Sequence, residues 1–269
     1  MAETAIDYFT YKPVRGAPEA AASIFFIVAA ILAYQTRRAQ AARWMYILVG
    51  TALAEGIGYI LRIVCINHIS LGLYIAMMLF LLLPPNALAL FNYKVVGEIA
   101  RQSNVRAKRF YLRPKFITWF FFASDVFSFM LQSTGGSMMA QDDMQETGKW
   151  ICVVGLAIQL GFLASFVAVA IIIGRDPQYI VICGPRQVSE VAAKRRVMWT
   201  IHATTGLLYV RSIYRLAEMI DGYGGKLYSA EWAFYVFDFA AILLMFILYI
   251  VFFVGHNFPH RKSHCIRQV

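Results

Sequence analysis

A chain of 269 residues that is 60% hydrophobic and only 15% charged, with a mean hydropathy of +0.60, has too few polar groups for an ordinary soluble domain and reads as membrane-embedded. Its formal net charge of +10 would suit a nucleic-acid partner. The cytoplasmic loops of a membrane protein explain the same excess, so nucleic acid is set aside as a partner.

Seven segments are long enough to cross about 30 Å of hydrocarbon. They run from Ala20 to Tyr34, Trp44 to Ile66, Leu71 to Tyr93, Phe116 to Thr134, Trp150 to Gly174, Val197 to Met219 and Trp232 to Val254. The fold class is therefore an all-α membrane protein, a seven-helix bundle spanning residues 18–255, with a segment 1–17 before it and a basic tail 256–269 after it. The first helix is the shortest and becomes long enough only if Pro18 and Glu19 open it as its N-terminal turn. No cleavable signal is expected, because the first twenty residues are polar and the first apolar run lacks a small-residue cleavage site.

Each polar stripe has a place in this order. Helix 2 carries Glu55, Tyr59 and Arg62; helix 4 carries Asp125, Ser128 and Gln132; helix 5 has Gln159 alone. Helix 6 carries Arg211, Tyr214, Arg215 and Glu218, and helix 7 opens with Glu231, Tyr235 and Asp238. Seven residues advance a helix by about 700°, within about 20° of two full turns, so each stripe lies on one face. Charge at membrane depth costs about 2.5–3.5 kcal/mol per residue even on lenient insertion scales, so these faces should point into the bundle or a wet cavity. In helix 3, Pro84 and Pro85 predict a kink and carbonyls without helical donors, with Asn86, Asn92 and Tyr93 following. Such carbonyls either line a pathway or are satisfied by a neighbouring helix.

Orientation follows from Lys and Arg. Seventeen of them fall in the loops after helices 1, 3 and 5 and in the tail, against four, Lys12, Arg15, Lys149 and Lys226, on the other side. This asymmetry places the N-terminus outside and the C-terminus in the cytoplasm. At about 1.5 Å per residue, Arg62 and Arg215 then lie about 6 Å below the outer boundary, Asp238 about 9 Å, Arg211 about 12 Å, Asp125 and Gln159 about 13 Å and Glu55 about 16 Å. The pairs expected on depth are Arg62 with Asp238 and Arg211 with Asp125 or Glu55. Five acidic positions against three arginines leave spare negative charge. Cys65 and Cys152 sit near the outer surface and either bridge or remain buried thiols, while Cys183 and Cys265 are cytoplasmic. Tyr59, Tyr214, Tyr228 and Tyr235, with Trp44, Trp119, Trp150 and Trp232, gather near helix ends as an interfacial belt.

Several chemistries are missing. There is no phosphate-binding G-x-x-x-x-G-K-[ST] loop, and of five histidines only His202 lies in a helix. His256, His260 and His264 are spaced by four but Pro259 interrupts them, and helix 7 has no lysine for a retinal Schiff base. No nucleophile and base pair appears, so no enzyme, cofactor or metal is expected.

The frame itself is familiar. Glu55-Gly-Ile-Gly-Tyr59-Ile-Leu-Arg62, Leu83-Pro84, Asp125 through Gln132 to Gly135-Gly136, Gly155 to Gln159, Arg211-Ser-Ile-Tyr-Arg215-Leu-Ala-Glu218, and Glu231 with Tyr235 and Asp238 resemble the fungal lipid-translocating exporter family, the aminocholesterol-resistance-like seven-helix proteins. The match spans about residues 11–255 and departs from the pattern at Met219-Ile220 and at the second proline, Pro85. The resemblance implies an outside N-terminus, residence in the plasma membrane or an endomembrane, and export or flipping of sphingoid long-chain bases or handling of other toxic lipophiles. The expected partners are membrane lipids or lipophilic small molecules, held by the stripe residues. The alternative is a seven-helix receptor-like sensor of a lipophilic ligand.

Overall fold

The computed structural model describes residues 16–68, 70–103, 113–139, 142–179, 190–222, 225 and 231–257. Within them the chain is helical. We number the long helices α1 (Ala17–Arg38), α2 (Tyr46–Asn67), α3 (Leu71–Gln102), α4 (Pro114–Met139), α5 (Gln145–Arg175) and α6 (Glu190–Asp221). The seventh, α7, is built of three abutting pieces: an α turn Glu231–Phe234, a π turn Tyr235–Phe239 and an α-helix Ala240–Val251.

α1 begins as the sequence requires, with proline in its first turn and Glu19 beside the N-terminal amides, and Arg37 and Arg38 complement its C-terminal end. α3 outruns its expected end at Tyr93 by nine residues. Val95, Val96, Ile99 and Ala100 continue a buried face past that expected end, and the Glu98 carboxylate ties the last turn to Arg101 at 2.5 Å. α3 also runs unbroken through Pro84 and Pro85, both of which are buried.

Each helix packs on the next in the chain, α7 packs on both α6 and α1, and α3 additionally touches α5 and α6. The result is a ring closed by α1 and α7, with α3 drawn to its middle. Two glycines allow the closest approach, between α4 and α5: a Cβ at Gly135 would lie 2.6 Å from the Gly148 carbonyl oxygen, and one at Gly148 would lie 2.5 Å from that of Gly135. A small-residue seam is a common way to join helices where no hydrophobic force does so.

Among the described residues six helices are long and apolar enough to cross a membrane; α6 is the long helix that is not. Its composition is low in hydropathy because its buried face is the polar one, with Thr204, Thr205, Arg211, Arg215 and Glu218 shielded, while Trp199, Val210, Ile213 and Ile220 are exposed. That arrangement is inverted relative to a helix that faces water. The N-terminal end of α6 is clasped by Lys194, whose ammonium donates to the Asp176 carbonyl at 2.6 Å just beyond α5. Burial lowers this ammonium from the ordinary lysine range, and the Asp176 charge works against the shift.

Cys65 and Cys152 are both buried free thiols, which settles the choice left open by sequence against a bridge. Cys183, Cys265 and Tyr228 lie outside the described residues. The aromatic belt also needs amendment. Trp119, Trp150 and Trp232 are exposed, whereas Tyr59 is fully buried and stacked on Phe25 at 5.7 Å.

Candidate functional site

The buried stripes converge on the space between α2, α6 and α7. Asp238 lies 2% exposed in the π turn, where one extra residue per turn shifts which side chains face inward. Its carboxylate is ion-paired with Arg211 Nε and, at 3.0 Å, with Arg215 Nη2. Arg215 Nη1 donates to Glu218 Oε2 at 2.9 Å, one turn along α6. Glu55, from α2, is 1% exposed and faces the charges of Asp238, Arg211 and Arg215; its Oε2 has no hydrogen-bond partner among the described residues. Arg62, three residues from Tyr59 on the same face of α2, places its guanidinium over the Phe234 ring at 4.6 Å and the Tyr235 ring at 5.8 Å.

The expected pairings are therefore corrected. Asp238 goes to the two arginines of α6, and Arg211 takes neither Asp125 nor Glu55 as its ion-pair partner. The reason is the π turn, which no periodicity argument anticipates and which swings Asp238 toward α6. Within the cluster, Glu55, Glu218 and Asp238 balance Arg62, Arg211 and Arg215, and Asp125, a further buried acid of the stripes, lies outside it. The side chain of Glu231 lies outside the described residues.

Asp125 stands apart. It is 3% exposed, and its carboxylate interacts with the Tyr93 hydroxyl from α3 and with no arginine of the cluster. Gln132 and Gln159 do meet. Gln132 Nε2 donates to Gln159 Oε1 at 2.8 Å, and Gln159 Nε2 donates to Asn86 Oδ1 at 2.7 Å, so α4, α5 and α3 share one chain of amides.

The carbonyls released by the two prolines are partly used. Pro85 removes the donor of the Leu81 carbonyl, and Arg211 Nη2 reaches that oxygen at 3.5 Å. Sequence reasoning missed a further polar knot one level inward. Asn92, fully buried, donates to Thr204 Oγ1 at 3.2 Å and Thr205 Oγ1 at 3.1 Å, and accepts from the Tyr249 hydroxyl at 2.8 Å. The available signal was an asparagine inside an apolar run of α3 facing two threonines on the polar face of α6.

These contacts can exchange ion pairs within a low-dielectric interior, and they can present acceptors and donors to a polar head. No group of three or more His, Cys, Asp or Glu residues fit to hold a metal occurs among the described residues.

A family model described as "RTA1 like protein" matches residues 47–261. Among curated relatives, the "Protoporphyrin uptake protein 1" of Saccharomyces cerevisiae is 29% identical over 78% of this chain and 69% of its own length. "Protein RTA1" of the same yeast is 30% identical over 67% of this chain and 56% of its own length. A yeast "Sphingoid long-chain base transporter RSB1" is 23% identical over 62% of this chain and 53% of its own length. The chain thus spans between 53 and 69% of the lengths of these relatives. No solved structure matches it.

Proposed function

We propose that this chain, which belongs to the family of RTA1-like proteins, is a translocator or exporter of lipids or lipophilic amphiphiles that contributes to resistance against toxic ones. The observation that carries the reading is Asp238, seated in a π turn and gripping Arg211 and Arg215 in the interior of a ring of apolar helices. A purely architectural ion pair needs neither the irregular backbone nor the second arginine. A switch does, because opening one pair leaves the other to hold the charge while the helix changes register.

The family relationship supports the substrate class. One relative is named for protoporphyrin and another for sphingoid long-chain bases, both amphiphilic molecules. A sphingoid base carries a cationic head, and Asp125, buried beside the Tyr93 hydroxyl and outside the arginine cluster, is the carboxylate available to it. The reading includes seven spans with the N-terminus outside, α6 added to the other six: from Val197 to Ile220 its exposed residues are apolar or glycine and its charged ones, Arg211, Arg215 and Glu218, are buried, which suits lipid and not water. It places the protein in the plasma membrane and assigns it no enzymatic step.

The test is reconstitution of the full chain in liposomes with a fluorescent sphingoid base or phospholipid followed between leaflets. The expected result is a rate above that of empty liposomes, lowered in Asp125→Asn and Arg211→Gln. A rate equal to that of empty liposomes, with and without a proton gradient, removes the translocator reading. Unchanged transport with lowered stability in the variants reduces the cluster to helix glue.

A further inference from the structure

We propose that a cavity between α5 and α6, separate from the charge cluster, binds a single-chain amphiphile whose head is a hydrogen-bond donor, an alcohol or an amine. The cavity measures about 360 Å³. Small-ligand sites run from about 300 to 1,000 Å³, so this one holds one chain and its head and not a two-chain phospholipid. Phe166, Ala170, Ile201 and Tyr209 form its wall, and the exposed Ala164 and Gly206 mark its mouth on the outer surface of the ring.

Two polar groups interrupt this apolar lining. His202 Nδ1 lies 2.6 Å from the Met198 carbonyl oxygen. A carbonyl only accepts, so Nδ1 carries the hydrogen, and Nε2, when it carries none, is an acceptor. Thr205, three residues along the same helix and 2% exposed, accepts from Asn92 Nδ2 at 3.1 Å. That bond holds the hydroxyl oxygen in place and leaves its own O–H to donate. The Asn92 amide is itself fixed by Thr204 and Tyr249, so the polar floor of the cavity is braced from three helices.

A fixed acceptor beside a fixed donor satisfies a hydroxyl, which needs both, and accepts an amine through Nε2. No arginine or lysine lines the cavity, so a phosphate or carboxylate head buried there would lack a cation. The site therefore discriminates by head group. It also lies on the way to the cluster: Thr205 is six residues, about 9 Å, from Arg211 along α6. A passage from this cavity to the cluster rests on the proposed function, whereas binding itself does not.

The test uses the full chain in phosphatidylcholine nanodiscs and a photoactivatable octadecylamine, with labelled peptides mapped by mass spectrometry. Octadecanol, octadecylamine and octadecanoic acid serve as competitors. The expected result is labelling of α5 and α6 peptides, with the alcohol and amine competing better than the acid. Gly206→Leu should lower that labelling roughly tenfold. An added Cβ at Gly206 meets nothing within 4 Å, so the leucine extends into the mouth without displacing a helix. Ala164→Leu narrows the mouth from α5 and should act alike, which keeps the test decisive if either variant misfolds. His202→Phe keeps a ring of similar size and removes the acceptor; the preference for alcohol over acid should fall roughly tenfold, the equivalent of about one hydrogen bond. Wild-type labelling in both mouth variants, or an acid that competes as well as the alcohol, overturns the inference while leaving translocation to be judged by the liposome assay. Intact labelling with no translocation overturns the transport reading and leaves this site standing.

Discussion

Arg211 reaches across from α6 to the Leu81 carbonyl of α3, Nη2 to oxygen 3.5 Å, at the oxygen whose helical donor Pro85 removes. A proline and an arginine 126 positions apart are thereby coupled: the proline leaves an acceptor open, and the guanidinium that also pairs with Asp238 uses it. Pro85→Ala restores an amide at residue 85 and lets it compete for the same oxygen. The expected outcome is a thermal midpoint that is unchanged or higher, since helix propensity improves by up to about 3 kcal/mol, with translocation reduced several-fold. Equal transport in wild type and variant shows that the Arg211 contact is incidental.

Asp238 compensates two buried arginines, so its neutralisation is predicted to be severe. Asp238→Asn leaves Arg211 without its carboxylate and Arg215 with Glu218 alone, and removal of one partner of a buried pair costs about 3–5 kcal/mol. Adding Arg211→Gln to that variant removes the uncompensated charge and should recover part of the loss. Chemical denaturation in detergent of the two single variants and the double variant gives the coupling. Additive losses mean that the two residues do not act on each other.

Much of this site is visible in the chain as written. Glu55, Arg62, Arg211, Arg215, Glu218 and Asp238 recur at helical spacing in apolar segments, and burial brings all six to one region. What periodicity cannot supply is the partner of each. A π turn inserts a single residue into the register, and five residues of Tyr-Val-Phe-Asp-Phe carry no compositional mark of it. Asp125 failed for a related reason: depth along the normal matched it to Arg211, but helix order around the ring placed it beside Tyr93 on α3. Depth is a coordinate readable from sequence, and azimuth around a bundle is not.

The π turn invites a direct test, because it differs from an α turn by one residue. Val236 is exposed on the outer face of α7, so its deletion removes no buried contact. The ladder can then close with α-helical bonds, and Asp238 rotates by about 100° relative to one side of the helix. Circular dichroism should show unchanged helix content, while transport falls to the level of Asp238→Asn. Retained transport would falsify a role for the irregular turn and leave Asp238 as a static anchor.

The α4–α5 seam predicts opposite outcomes at neighbouring positions. Gly135→Ala puts a methyl 2.6 Å from the Gly148 carbonyl oxygen, 2.7 Å from Cys152 Sγ and 2.8 Å from the Cys152 amide. Two of those three atoms are backbone and cannot rotate away, so the helices must separate, at a cost of about 1–3 kcal/mol. Gly136→Ala meets nothing within 4 Å and replaces a poor helix former with the best one, a gain of up to about 1 kcal/mol. Thermal unfolding of the two variants in the same detergent should therefore move the midpoint down for residue 135 and up or not at all for residue 136. Separation at Gly135 also pulls Gln132, one turn away, from Gln159, so the first variant should lose transport beyond what its lower stability explains, and adding Gln159→Leu to it should cost little more.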